Sequence, residues 1–102
     1  MDIQLKKGIL DVLVLSILKG EDLYGYKLSE QVNGTVQIAE TALYPVLRRL
    51  KEQKLLTTYS VEHNGRLRKY YSITESGKAH LDKSIKDLAE LQKIIENIIE
   101  GA

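Results

Sequence analysis

Apolar residues mark out the chain before its composition does. From Ile3 to Leu18 the positions Ile9, Leu10, Leu13, Val14, Ile17 and Leu18 recur every three or four residues in doubled pairs. That period predicts a helix buried over a wide face. Gly20-Glu21-Asp22 breaks it. A second, shorter helix is predicted from Tyr24 to Val32, with Leu28 and Val32 inward and Asn33-Gly34 as its stop signal. Val36-Gln37-Ile38 reads as a short β-compatible link. From Glu40 to Lys54, Leu43, Val46, Leu47 and Leu50 fall on one face of a third helix. A turn of about 100° per residue leaves Thr41, Pro45, Arg48 and Glu52 most exposed, flanked by Tyr44 and Arg49. Proline is tolerated in a first helical turn, whose amide hydrogens lack partners anyway, so Pro45 predicts a start near Thr41 or Ala42.

The period then changes to that of strands. Leu55 to Glu62 and Leu67 to Ile73 are β-rich runs joined through His63-Asn64-Gly65-Arg66. Asn-Gly is the preferred centre of a two-residue type I′ hairpin, because both positions need positive φ. Such a turn sets Tyr59 opposite Tyr70, Thr58 opposite Tyr71 and Leu56 opposite Ile73. Arg66, Arg68 and Tyr70 then share one face of the ribbon, and Leu67, Lys69, Tyr71 and Ile73 the other. One of Tyr70 and Tyr71 must cover the helix side. Thr74 or Ser76 can cap a last helix running to about Glu100. Three helices, a two-stranded ribbon and a long helix make a mainly helical α+β fold, the winged helix-turn-helix. Residues 1–74 form the winged-helix unit and 75–102 the C-terminal helix, which packs with the first helix into one body.

The last helix carries Leu81, Ile85, Leu88, Gln92, Ile95 and Ile99 at alternating spacings of four and three, widened by Leu91, Ile94 and Ile98. This heptad-like stripe is broader than one cover on a small domain requires, so it is expected to pack on the first helix, around Leu10, and on a second subunit. The predicted interface is Leu10, Leu81, Ile85, Leu88, Leu91, Gln92, Ile95, Ile98 and Ile99.

Composition narrows the chemistry. With 102 residues, 43% of them hydrophobic, the chain fits one small domain whose core, lacking Phe and Trp, must be built of Leu, Ile and Val with a few Tyr rings. The absence of Cys excludes a disulfide framework and thiolate metal sites, and His63 and His80 are too few for zinc. No nucleophile–base arrangement, paired carboxylates or Gly-rich phosphate loop can be assembled, so the chain reads as no enzyme, with no cofactor and no metal. Lys6-Lys7 before an apolar stretch loosely mimics a signal peptide. Asp11 interrupts it, Lys19-Gly20-Glu21-Asp22 offers no cleavage site, and it is too short to span a bilayer. A cytoplasmic location fits. The net charge is only +1, but it is unevenly spread. Residues 1–38 balance at −1, residues 75–102 at −2, and residues 39–74 carry seven Lys or Arg against Glu40, Glu52 and Glu62, a balance of +4. A local basic patch of this kind suits a phosphate-binding surface.

Three motifs, in order, carry a family resemblance. Glu40-Thr-Ala-Leu-Tyr-Pro-Val-Leu-Arg-Arg-Leu-Lys-Glu-Gln-Lys-Leu-Leu56 resembles the PadR recognition-helix segment, E-G-T-L-Y-P-x-L-x-R-L-E-x-x-G-L-I. Gly65-Arg-Leu-Arg-Lys-Tyr-Tyr-Ser-Ile-Thr74 with Gly77 resembles that family's wing, and Leu5 to Leu18 with Leu23-Tyr-Gly-Tyr-Lys-Leu28 its opening helices. The chain departs from the pattern where Thr41-Ala42 replaces Gly-Thr, Lys54 a helix-ending Gly, and Leu67 a Pro. The resemblance implies a bacterial transcriptional regulator, typically a repressor. It also implies a homodimer paired through the first and last helices, and relief by a small hydrophobic molecule at the dimer interface. The last helix contains no aromatic residue, so a stacking pocket there is not expected.

In a helix-turn-helix the second helix of the motif enters the major groove of double-stranded DNA with its first turns on base edges. That assigns Thr41, Ala42, Tyr44, Pro45 and Arg48 to the DNA, with Arg48 suited to a bidentate contact on guanine. Tyr44 and Thr41 have hydroxyls for phosphate, and Ala42 and Pro45 apolar surface for a thymine methyl. Arg49 and Lys51 suit the backbone, and the wing adds Arg66, Arg68 and Lys69 near a hairpin tip. Arg66, nearest the tip, suits a narrow minor groove. The near-neutral net charge motivates an alternative, a winged-helix protein-interaction module that binds no DNA.

Overall fold

The computed structural model describes residues 3–101, with side chains from residue 8 onward. The side chains of Leu5, Lys6 and Lys7 therefore lie outside the described residues. Along the chain run α1 (Ile3–Gly20), β1 (Leu23–Tyr24), α2 (Gly25–Asn33), α3 (Glu40–Glu52), β2 (Leu56–His63), β3 (Arg66–Ile73) and α4 (Glu75–Ile99). The leucine-rich faces expected to point inward do so. Leu10, Val14, Leu15 and Leu18 of α1 meet Leu28 and Val32 of α2, Leu43, Leu47 and Leu50 of α3, Leu56 of β2 and Leu81 of α4 in one core. Full burial of such a side chain contributes about 1.5–3 kcal/mol, so leucines can replace the missing large aromatics.

The hairpin forms with the register anticipated from its turn. Leu56 faces Ile73, Thr58 faces Tyr71 and Tyr59 faces Tyr70. Asn64 and Gly65 have φ of 52° and 77°, the paired positive values that a type I′ turn demands. The sheet is nonetheless three-stranded. Tyr24, expected inside the second helix, belongs to β1, where Leu23 and Tyr24 pair antiparallel with Tyr71 and Tyr70 of β3. A two-residue strand is too short for a period-2 pattern, so only tertiary pairing reveals it. Val36-Gln37-Ile38 joins no strand. Val36 is buried, and the Ile38 amide donates to the Asn33 side-chain oxygen.

α3 starts at Glu40, as its apolar pattern gave it and one or two residues before the start inferred from Pro45, which puts the proline in the second turn. There it cannot donate to the Thr41 carbonyl, and Thr41 is exposed so that water can serve instead. The helix ends sooner than expected, at Glu52. The amide of Lys54 donates to the Lys51 carbonyl and that of Leu55 to the Leu50 carbonyl, with Leu50 and Leu55 both buried. This is the Schellman pattern, which needs a left-handed residue after the cap. Lys54 supplies it at φ 62°.

Thr74, rather than Ser76, caps α4. Its hydroxyl accepts from the Gly77 amide at 3.0 Å and donates to the Lys54 carbonyl at 2.7 Å, joining the end of α3 to the start of α4. Gly77 lies so close under the chain that an added Cβ would overlap the Leu55 carbonyl oxygen. Gly77 and Leu81 are the buried residues of α4, after which the helix leaves the core. The molecule is accordingly elongated, 59 × 27 × 21 Å.

Candidate nucleic-acid interface

α3 is buried on its leucine face and open on the other. Its open face, the start of α2 and the sheet enclose a groove of about 520 Å³. Arg48 and Lys51 of α3 line it from one side, and Arg68 and Lys69 of β3 from the other. Four cations thus surround a single carboxylate, Glu40, whose oxygen accepts a hydrogen bond from the Tyr44 hydroxyl at 3.2 Å. Charges of one sign lining a concavity reinforce one another and attract polyanions. The Tyr44 phenol is held protonated by that hydrogen bond and by the nearby Glu40 charge, which raise its pKa. Tyr71, buried at the back of the groove, is raised chiefly by burial and then by Tyr44. Both phenols are therefore donors at neutral pH.

The wing offers a second concavity of about 450 Å³ at its tip, lined by His63, Asn64, Arg66 and Leu67 and, at its inner end, by Tyr24 and Arg68. Behind it, on the face of the sheet away from the core, three tyrosines form a ladder across the strands. Tyr59 stacks on Tyr70 with ring centroids 5.5 Å apart and planes 8° from parallel, and Tyr70 meets Tyr24 edge-on at 5.6 Å. The Tyr59 hydroxyl donates to Asp22 at 2.6 Å, and this hydrogen bond raises its pKa. At the other end the Arg68 guanidinium sits 4.3 Å above the centre of the Tyr24 ring.

Most of the residues predicted from sequence converge. Tyr44, Arg48, Lys51, Arg68 and Lys69 line the groove, Thr41, Ala42 and Pro45 are exposed on the first two turns of α3, and Arg66 lines the wing tip. Arg49 does not join them. It faces α1 and pairs with Asp11, because one step along a helix turns a side chain about 100°. Leu10 and Leu81, expected between subunits, are 2% and 1% exposed and already belong to the chain's own core. Ile85, Leu88, Leu91, Gln92, Ile95, Ile98 and Ile99 remain exposed along α4. Tyr24, Gly25, Tyr26 and Glu40 also line the groove, although only Glu40 had been read as part of a DNA-related segment. The signal for the others lay in Leu23-Tyr24-Gly25-Tyr26, two aromatics around a glycine ahead of a helix. Among the described residues, no group of three or more His, Cys, Asp or Glu could hold a metal ion, and no helix is long and apolar enough to cross a membrane.

Residues 14–83 match the model of the transcriptional regulator PadR-like family. An uncharacterised protein of Lysinibacillus sphaericus is 37% identical over 100 residues, spanning 93% of this chain and 92% of its own length. A Streptococcus mutans protein of known structure superposes with a TM-score of 0.84 at 39% identity, over 91% of this chain and 88% of that one. A PadR-like transcriptional regulator of Bacillus cereus superposes at 0.87 with 31% identity, over 97% of this chain and 99% of that one.

Proposed function

The chain belongs to the PadR-like family of transcriptional regulators, and from that premise we propose that it binds a palindromic operator as a homodimer and represses transcription there. The observation that carries this reading is the meeting of Arg48, Lys51, Arg68 and Lys69 around one groove between α3 and the wing. α3 enters the major groove, and Arg48 reads a guanine through its two acceptors, O6 and N7. Ala42 and Pro45 meet a thymine methyl, while Thr41, Lys51 and Lys69 take phosphate oxygens, as does Tyr44 when its hydroxyl exchanges Glu40 for one. Arg66 enters the minor groove beside the recognition site. Arg49, engaged by Asp11, is left out of this contact set.

The exposed face of α4 supports the second copy. Its exposed Ile85, Leu88, Leu91, Ile95 and Ile99 keep the spacing by which one helix packs against another. Pairing two such faces about a twofold axis buries them and sets two α3 helices side by side for successive major grooves. A small hydrophobic molecule seated between the paired helices is the effector this reading assigns. A mobility-shift assay on the protein's own promoter region tests the proposal. A specific shift, weakened by Arg48→Ala, is expected. Equal affinity for unrelated DNA, insensitive to that substitution, contradicts it.

A further inference from the structure

The α3 groove and the wing-tip concavity meet at two residues, Tyr24 and Arg68, which line both. On a DNA duplex the feature that separates a major from a minor groove is a sugar–phosphate strand. Resting on the reading of the groove as the DNA interface, we infer that Arg68 clamps the phosphate strand between the groove read by α3 and the one entered by the wing, and that Tyr24 is the positioning residue that holds its guanidinium there.

The geometry supplies the holding device. The guanidinium carbon lies 4.3 Å from the Tyr24 ring centroid, within the range of a cation–π contact. A guanidinium stacked by its face keeps its N–H edge free for a phosphate, so ring and phosphate do not compete for it. Tyr24 is itself fixed. Its backbone is paired to Tyr70, its ring meets the Tyr70 edge, and Tyr70 stacks on Tyr59, which is tied to Asp22. The ladder therefore runs from the α1–β1 connection to the DNA-facing cation. Lys69 is held less closely, with its ammonium 5.6 Å from the Tyr71 ring. A long exposed arginine otherwise loses much rotamer freedom on binding, and a ring that orders it beforehand removes part of that cost.

The test measures affinity for an operator-containing duplex as a function of salt, in the full-length protein and its variants. Arg68→Gln is expected to weaken binding to all sequences alike and to reduce the slope of log K against log salt by about one phosphate's worth, ~0.9. Tyr24→Leu is expected to weaken binding by about two- to fivefold, the size of an exposed cation–π contact, and Tyr24→Phe to restore it. In the Tyr24→Leu, Arg68→Gln double variant the two losses are expected to be less than additive, because Tyr24 acts through Arg68. Additive losses overturn the positioning role, as does a Tyr24→Phe variant as weak as Tyr24→Leu. An unchanged salt slope in Arg68→Gln overturns the clamp, and remains readable if Tyr24→Leu fails to fold. Absence of specific binding by the wild-type protein overturns instead the DNA reading on which the inference rests.

Discussion

Arg48 and Arg49 have the same chemistry and adjacent positions, yet the helix separates their work. Arg48 opens onto the groove, whereas Arg49 ties α3 to Asp11 of α1. Arg48→Ala should lower operator affinity by about 1–3 kcal/mol and relax a single base position, as read by binding to a set of singly substituted operators. Lys69→Ala should weaken all of them equally. Arg49→Ala should leave affinity alone and lower the unfolding free energy measured in urea by no more than about 1 kcal/mol, since the pair it breaks is partly exposed. Two backbone positions make sharper stability predictions. Lys54 holds a left-handed conformation that disfavours side chains, so Lys54→Gly should stabilise the fold by roughly 0.5–1 kcal/mol despite the greater freedom of glycine when unfolded. Gly77→Ala should destabilise it by about 1–3 kcal/mol, because the added Cβ would clash with the Leu55 backbone carbonyl as well as the Ile73 side chain. Thermal or urea unfolding of both variants checks the two signs.

Among the elements, those with a repeating signal were legible in advance. Asn64-Gly65 dictated both the turn and the whole β2–β3 register, and Leu10, Val14 and Leu18 of α1 and the leucine face of α3 are buried as their spacing implied, whereas Ile9, Leu13 and Ile17 are only partly buried. β1 was not legible, because two residues form no period and Tyr24 becomes a strand residue only by meeting Tyr70. The Tyr59–Tyr70 pair followed from that register, but the place of Tyr24 beside it and the inner wall of the groove went unseen for the same reason. They are products of pairing between distant segments. Pro45 put the start one or two residues late, since an exposed helix tolerates proline just past its first turn when water can reach the orphaned carbonyl. For α4 the pattern was plain but its division was not: Leu81 closes the chain's own core, and the exposed stripe starts at Ile85. The proposal of a paired α4 therefore concentrates on its outer half. Ile95→Glu should convert the protein from a dimer to an 11.6 kDa monomer in sedimentation equilibrium while its helical circular dichroism is largely retained. A monomeric wild-type chain would contradict the pairing.

At the scale of the whole molecule, the fold sets a basic groove at one part of the surface and a long apolar helix at another, and the proposed function needs both. A single α3 and wing contact only a few base pairs, too few for a unique site, whereas a twofold pair reads the same half-site twice. The geometry of B-DNA then fixes the distance between the two recognition helices at about 34–36 Å, one helical turn, or a multiple of it. The charge distribution is consistent with this division. The segment 39–74, which forms α3 and the wing, balances at +4, while residues 75–102, with α4, balance at −2 and are not drawn to the phosphate backbone. The most direct test of the central claim is selection of bound duplexes from a random pool by the wild-type protein. An enriched inverted repeat is expected, with half-sites centred about 10–10.5 base pairs or a multiple apart and a guanine whose preference disappears in Arg48→Ala. A pool that enriches no sequence, or an unchanged motif with Arg48→Ala, would contradict it.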